Sequence, residues 1–269
     1  MSISKRIRSL LKRWYYTYWP GQAGSFPYFG TRVYFPPRAH LFLRVCDEDI
    51  YEQGNVRILK SLLKPDTTCF DVGTNIGLIS TPLLRECPHS KVVSFEPSPN
   101  AQPYLVKTHA GSPFKNRWQL IPKAVGKEIG RLEFFCSSPE NSAFDGVKAT
   151  NRTEVSKVVS VEVTTLDAEW NTLGCPAVSL IKIDVEGSEI DVLKGASQCI
   201  RTARPAIFLE WTLSNLTAYG IPPESILEWA RAEGYVMLSA ADAVAIQGVG
   251  QLKLAMLHTQ DFLLLPADK

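Results

Sequence analysis

From residue 68 onward, short unbroken apolar runs alternate with amphipathic segments, and this alternation limits the fold more than any other feature of the chain. The runs are "TCFDVG" (68–73), "KVVSFEP" (91–97), "WQLIPKAVG" (118–126), "VSLIKIDVEG" (178–187) and "PAIFLEW" (205–211). A continuous apolar run suits a strand covered on both faces, as in a parallel sheet. Between the runs, "GLISTPLLREC", "PNAQPYLVKTHA", "SEIDVLKGASQCI" and "PPESILEWARAEG" read as helices. The second is interrupted by Pro103, and the last opens on proline and closes on glycine. "YVMLSA" and "DFLLLP" read as closing strands. The pattern predicts an α/β fold with a doubly wound, mostly parallel sheet.

Residues 131–166 break the alternation. Two β-like runs flank a polar loop near residues 137–157. They read as a β insertion after the third strand, and long loops in compact domains are commonly functional. Upstream, "DIYEQGNVRILKSLLKPD" (49–66) reads as a helix stopped before Pro65. Residues 31–46, broken by Pro36-Pro37, read as a β-hairpin. The expected organisation is an N-terminal extension over residues 1–49 and a main domain over residues 50–269.

Charge divides the chain in the same place. Of the 29 Lys and Arg, eight fall in residues 1–46, which hold no Asp or Glu; the remainder carries 21 basic and 27 acidic residues, a net of −6. A mildly acidic body disfavours general nucleic-acid binding. In the leader, Ile3, Ile7, Leu10, Leu11 and Trp14 share one helical face, with Lys5, Arg8, Lys12 and Arg13 opposite. Tyr15, Tyr16, Tyr18 and Trp19 follow before Pro20-Gly21. Two readings stand: peripheral contact of residues 1–19 with an anionic membrane, or a helix packed on the body with a solvated basic face. No apolar run reaches the ~20 residues of a membrane span, and the leader is a poor signal peptide. Six scattered cysteines without a C-x-x-C pair read as reduced and buried, which suits a cytoplasmic protein. The sequons at Asn151 and Asn215 are short patterns of little weight.

In a doubly wound sheet, ligands bind beyond the carboxyl ends of the strands. The first strand delivers "FDVGTNIG" (70–77), whose Gly73 and Gly77 allow a tight turn and close approach of a ligand. The second delivers Glu96-Pro97 about 20 residues later, the spacing at which an acid meets a ribose diol. The third ends in Ala124-Val125-Gly126, the fourth in Asp184-Val-Glu186-Gly187 and the fifth in Glu210. A dinucleotide loop would use G-x-G-x-x-G facing a pyrophosphate. Here an acid, Asp71, precedes the turn and the third glycine is missing. That favours a nucleoside with a cationic amino-acid tail, S-adenosyl-L-methionine, over a nicotinamide dinucleotide.

"FDVGTNIG", "SFEPSPN" and "LIKIDVEGSEIDVLKGA", in this order and spacing, resemble the FkbM family of S-adenosylmethionine-dependent methyltransferases over about residues 50–212. The block "IKIDVEGSE" is the most specific part. The resemblance implies the Rossmann-like class I methyltransferase fold and, for most enzymes of the family, O-methylation of small molecules, sugars or natural products. It implies that Asp71, Gly73, Asn75 and Gly77 line the methionine part of the cofactor. Glu96, with Pro97 behind it, would meet the ribose, and Ala124 and Val125 the adenine. Thr74 stands where the family usually has Ala. Glu52 falls where it often has an acid before the first strand, and Ser142 in the insertion and Asp184 are further candidates to approach the cofactor.

Methyl transfer to a hydroxyl needs its proton removed. None of the four histidines falls at an expected strand end, so carboxylates are the candidates, Asp184 first and Glu186 second. Asp184, Glu186 and Glu210 around a divalent ion are an alternative; no metal is expected. Glu189 reads as a helix-start acid. Lys182, between Ile181 and Ile183, either neutralises a buried acid or snorkels. The expected activity is O-methylation of a small-molecule, sugar, or glycan- or lipid-linked acceptor. The alternatives are a non-catalytic S-adenosylmethionine-binding or scaffold protein and, less favoured, a nucleic-acid methyltransferase. For base amino groups a proline-rich turn would follow the fourth strand, where "DVEG" stands.

Overall fold

The computed structural model describes residues 3–150 and 152–267, with only the backbone of Ile3. The Asn151 sequon and the Ile3 side chain lie outside the described residues. The chain begins with α1 (Ile3–Tyr18), β1 (Ser25–Tyr28), β2 (Thr31–Tyr34), α2 (His40–Glu48) and α3 (Gln53–Leu62). There follow β3 (Thr68–Val72), α4 (Ser80–Glu86), β4 (Lys91–Phe95), α5 (Gln102–Ala110), β5 (Trp118–Ile121), β6 (Ala124–Val125), β7 (Gly130–Cys136) and β8 (Lys157–Thr164). Next come α6 (Leu166–Thr172), β9 (Val178–Ile183), α7 (Glu189–Lys194), α8 (Ser197–Ala203), β10 (Ala206–Glu210) and α9 (Leu213–Tyr219). The last elements are α10 (Ser225–Ala232), β11 (Tyr235–Ser239), α11 (Val249–Ala255) and β12 (Asp261–Pro266).

Seven strands form the central sheet in the order β11-β12-β10-β9-β3-β4-β5. β12 alone runs antiparallel to its neighbours. Every residue of β3 and β9 is buried, which is why both read as unbroken apolar runs. Alternate side chains feed two cores. Phe70, Val72, Ile181 and Ile183 join Trp170, Val192 and Leu227 on one face, and Cys69 and Leu180 join Leu59, Leu83 and Leu105 on the other. The chain thus has helices on both faces of a mostly parallel sheet. Strand order reverses between β3 and β9, and such a reversal opens a crevice at the strand ends.

The third apolar run is divided. β5 ends at Ile121, Pro122 interrupts, and β6 leaves to pair with β8 in a separate three-stranded sheet with β7. β7 and β8 are the insertion strands expected from the sequence. Pro103 does not interrupt its helix: it sits in the first turn of α5, where its missing N–H costs nothing.

The hairpin lies earlier than expected. β1 and β2 pair over residues 25–34, and residues 40–48 form a helix. Pro36-Pro37 cannot donate ladder bonds. Leu41, Phe42, Val45 and Cys46, all buried in α2, follow helical spacing. Phe35 stacks on Phe42 with centroids 4.0 Å apart, and these rings join Ile76 and Leu78 of the main domain in one cluster. α1 does not pack with its basic face solvated, as one of the two readings had it. Its Lys12 and Arg13 pair with Asp49 and Asp47 of the body, while Leu10, Leu11 and Trp14 face outward. All six cysteines are free; four are buried, whereas Cys87 is half-buried and Cys175 is exposed because it lies in the turn before β9.

Candidate active site

A deep cavity opens at the carboxyl end of the sheet, where strand order reverses. Gly73, Thr74 and Asn75 after β3 line it, with Glu96 and Pro97 after β4. Ala124 and Val125 of β6, Ser142 of the insertion, Asp184 and Glu186 after β9, and Glu210 at the end of β10 complete this set. The expected site residues therefore converge on one space, with two exceptions.

The exceptions are Asp71 and Gly77. Asp71 is fully buried beneath the turn and does not face the cavity. Its Oδ2 accepts hydrogen bonds from Ser80 (2.5 Å) and from Thr74 (2.7 Å), the residue that replaces the family's usual Ala. Its charge is met by Lys182, which lies opposite it in the parallel register of β3 and β9, 3.5 Å from Asp71 Oδ1. Lys182 Nζ also donates to Gly73 O at 2.9 Å and pairs with Asp184 at 3.3 Å. Burial alone would lower the lysine's pKa, but Asp184, Asp71 and Glu52 together outweigh it and hold the ammonium charged. Lys182 thus neutralises buried acids rather than snorkelling. Gly77, at φ +91°, serves packing: a Cβ there would meet the Trp118 ring at 2.9 Å. At Gly73, φ +79°, a Cβ would lie 1.7 Å from the carbonyl oxygen of Asp184, so the β3 and β9 ends can meet only through glycine.

Glu96 is 5% exposed and accepts hydrogen bonds from the backbone N–H of Asn75 (2.8 Å) and of Ser98 (2.7 Å). Burial pushes its carboxyl up to about 7 against these two amides. Asn75 also ties the turn to the insertion, donating from Nδ2 to Ser142 O at 3.0 Å. Behind Pro97, Asp145 accepts from Ser98, Asn100 and Ser137, which clamps the start of the insertion to the β4 loop.

At the ends of β9 and β10, carboxylates crowd. Ligand-capable oxygens of Asp184, Glu186 and Glu210 lie within 4.8 Å of one another, close enough to ligate one cation. Burial, and then Asp184, push Glu186 up to about 8, with the Arg152 guanidinium 2.6 Å away opposing them. Burial and the same neighbours hold Glu210 well above the usual carboxylate range. Glu189 starts α7 and accepts from Gly187 N at 2.9 Å, the helix-start role expected of it.

The sequence reading missed a wall built by the extension. His40, Leu41 and Arg44 of α2 line the cavity, with Tyr51 and the expected Glu52. His40 reaches the site from a helix rather than from a strand end, where the sequence reading had looked for histidines. Its pKa is lowered, first by burial and then by Arg44 and Arg152, and its Nδ1 is buried with no hydrogen-bond partner among the described residues. Arg44 bridges Glu48 (2.8 Å) and Glu52 (3.2 Å) and lies over the Tyr51 ring. The available signal was the helical spacing of Leu41, Phe42 and Val45, which turns His40 and Arg44 to a shared side. Arg152 had no signal of its own, because the fold of the insertion alone brings it to Glu186.

The model of the methyltransferase FkbM domain matches residues 71–237. The 2-O-methyltransferase NoeI of Sinorhizobium fredii is 26% identical over 184 residues, covering 64% of this chain and 74% of that protein. The hexuronic acid methyltransferase AglP of Haloferax volcanii is 26% identical over 153 residues, covering 56% of this chain and 59% of that protein. The crystal structure of an FkbM methyltransferase from Methylobacillus flagellatus superposes with a TM-score of 0.48 at 14% identity, covering 82% of this chain and 52% of that one. Family membership makes the chain a methyltransferase and implies a methyl donor. The chain belongs to the FkbM methyltransferase family.

Proposed function

We propose that the chain is an S-adenosyl-L-methionine-dependent O-methyltransferase acting on a small-molecule, sugar, or glycan- or lipid-linked hydroxyl. The observation that carries this reading is the sharing of one cavity by two unlike acidic walls: Glu96, held by backbone amides, and the crowded Asp184, Glu186 and Glu210. Two relatives, one named a 2-O-methyltransferase and one a hexuronic acid methyltransferase, favour an oxygen acceptor on a sugar.

The residues suit the donor. Glu96 keeps lone pairs for a ribose diol, Ala124 and Val125 offer an apolar border for adenine, and Glu52 offers negative charge to a cationic tail. When bound, the donor supplies a methyl group already activated for in-line displacement, so positioning contributes much of the rate. The protein's task is then to orient the acceptor hydroxyl and take its proton. Asp184 is the proposed base. Its side chain is 35% exposed, and it is tied neither to Arg152, as Glu186 is, nor to Asn215, as Glu210 is. Glu186 and Glu210 stand ready to share the proton, since crowded carboxylates cannot all ionise.

The test is transfer of labelled methyl from S-adenosyl-L-methionine to a panel of sugars and natural-product alcohols. Labelled product with an ether linkage to oxygen supports the reading. Label on nitrogen or carbon, or donor binding without transfer to any panel member, contradicts it.

A further inference from the structure

α1 meets the body by its polar side and turns its apolar side to solvent, the reverse of an amphipathic helix that completes a core. Ser9 donates to Asp47 at 2.6 Å, Arg13 pairs with Asp47 at 2.5 Å, and Lys12 pairs with Asp49. Tyr16 anchors the same side against Phe26 and Phe42. Outward stand Ile7 (53% exposed), Leu10 (57%), Leu11 (62%), Trp14 (52%) and Tyr18 (70%), followed by Trp19 (47%). A contiguous apolar stripe of this kind marks an interaction surface. On a 3.6-residue wheel, Arg6 and Arg8, both exposed, fall on opposite flanks of the stripe.

We infer that this face docks in the plane of an anionic lipid surface, with the stripe at the acyl boundary and Arg6 and Arg8 at the headgroups. Three observations favour lipid over a second copy of the chain. The cations flank the stripe on both sides, so a two-fold pairing of this face would set arginines against arginines. Tyr and Trp collect at the C-terminal end of the stripe, where amphipathic rings suit a headgroup layer. Residues 1–46 carry no acid, whereas the rest of the chain is net negative and would be repelled by anionic lipid. No helix among the described residues is long and apolar enough to cross a membrane, so the helix lies on the surface rather than through it. α2 carries α1 on Asp47 and Asp49 and lines the cavity with His40, Leu41 and Arg44, which puts the lipid surface one helix away from the site.

The experiment is co-sedimentation of the full chain with phosphatidylcholine vesicles, with and without phosphatidylserine. The expected result is binding to the phosphatidylserine vesicles that weakens with salt. It should fall about fivefold for each of Arg6→Gln and Arg8→Gln and at least about tenfold for Leu11→Glu/Trp14→Glu, with thermal stability unchanged because these side chains are exposed. Equal sedimentation of wild type and Leu11→Glu/Trp14→Glu, or no sedimentation of wild type, overturns the inference. A wild-type dimer that Trp14→Glu converts to monomer, without vesicle binding, also overturns it and assigns the face to a second copy. None of these readouts depends on methyl transfer.

Discussion

The two acidic walls of the cavity handle their charge in opposite ways. Glu96 has each oxygen engaged by a backbone N–H and stands alone on its strand end. Asp184, Glu186 and Glu210 stand together, supported by Lys182, Arg152 and Asn215 rather than by backbone amides. Amide donors on a rigid turn fix an acceptor's position, which suits holding a ligand. Burial and crowding raise the proton affinities of Glu186 and Glu210, which suits moving a proton. One sheet edge can therefore divide binding from proton transfer, because the strand order reverses between the two walls.

Substitutions should separate the walls. Asp184→Asn keeps the shape and removes the proposed base; turnover should fall about 10²–10⁴-fold, while calorimetry should find donor affinity within a few fold of wild type. Beneath the turn, Asp71→Asn leaves buried Lys182 short of a counter-charge. It should cost about 3 kcal/mol of stability and lower Tm by roughly 8 °C, read by thermal unfolding, with donor contacts intact in the folded fraction. Glu96→Gln should weaken donor binding by about 10–100-fold, the worth of a hydrogen bond to a charged group, and leave the chemical step in single turnover nearly unchanged at saturating donor.

The smallest effect is on pH dependence. Burial raises Glu96, Glu189 and Asp261 to about 7 and Glu186 to about 8. Raised carboxyls bind protons in the folded state that the unfolded chain has already released. Their stabilisation is therefore full below the unfolded pKa and is lost as pH climbs through about 7–8. Asp47 and Asp49, lowered by Ser9 and Lys12, act only below their ordinary range and do not offset this. Tm should fall steadily between pH 5.5 and 8. A flat profile would mean that these carboxyls are open to water and ionised throughout.

Most of the cavity was legible because strand ends can be read from apolar runs, and Gly73, Asn75, Glu96 and Asp184 sit at strand ends. Asp71 was legible as a residue but not in its role. Its pairing depends on the register that sets Asp71 opposite Lys182, and register between strands over a hundred residues apart leaves no mark in either run. His40 and Arg44 were hidden because loose alternation around two prolines imitates a hairpin, while the buried residues of α2 follow a helical period. The outward apolar side of α1 was only one of two readings: a helical wheel separates two faces but does not say which one meets the body.

The central claim is that the Glu96 wall binds and the Asp184 wall moves the proton. The most direct measurement is a side-by-side titration of S-adenosyl-L-methionine into Glu96→Gln and Asp184→Asn, each paired with single-turnover methyl transfer. The account predicts a crossed result: Glu96→Gln loses affinity and keeps its rate at saturation, and Asp184→Asn keeps affinity and loses its rate. Parallel loss of both quantities in both variants, or wild-type turnover in Asp184→Asn, would contradict it.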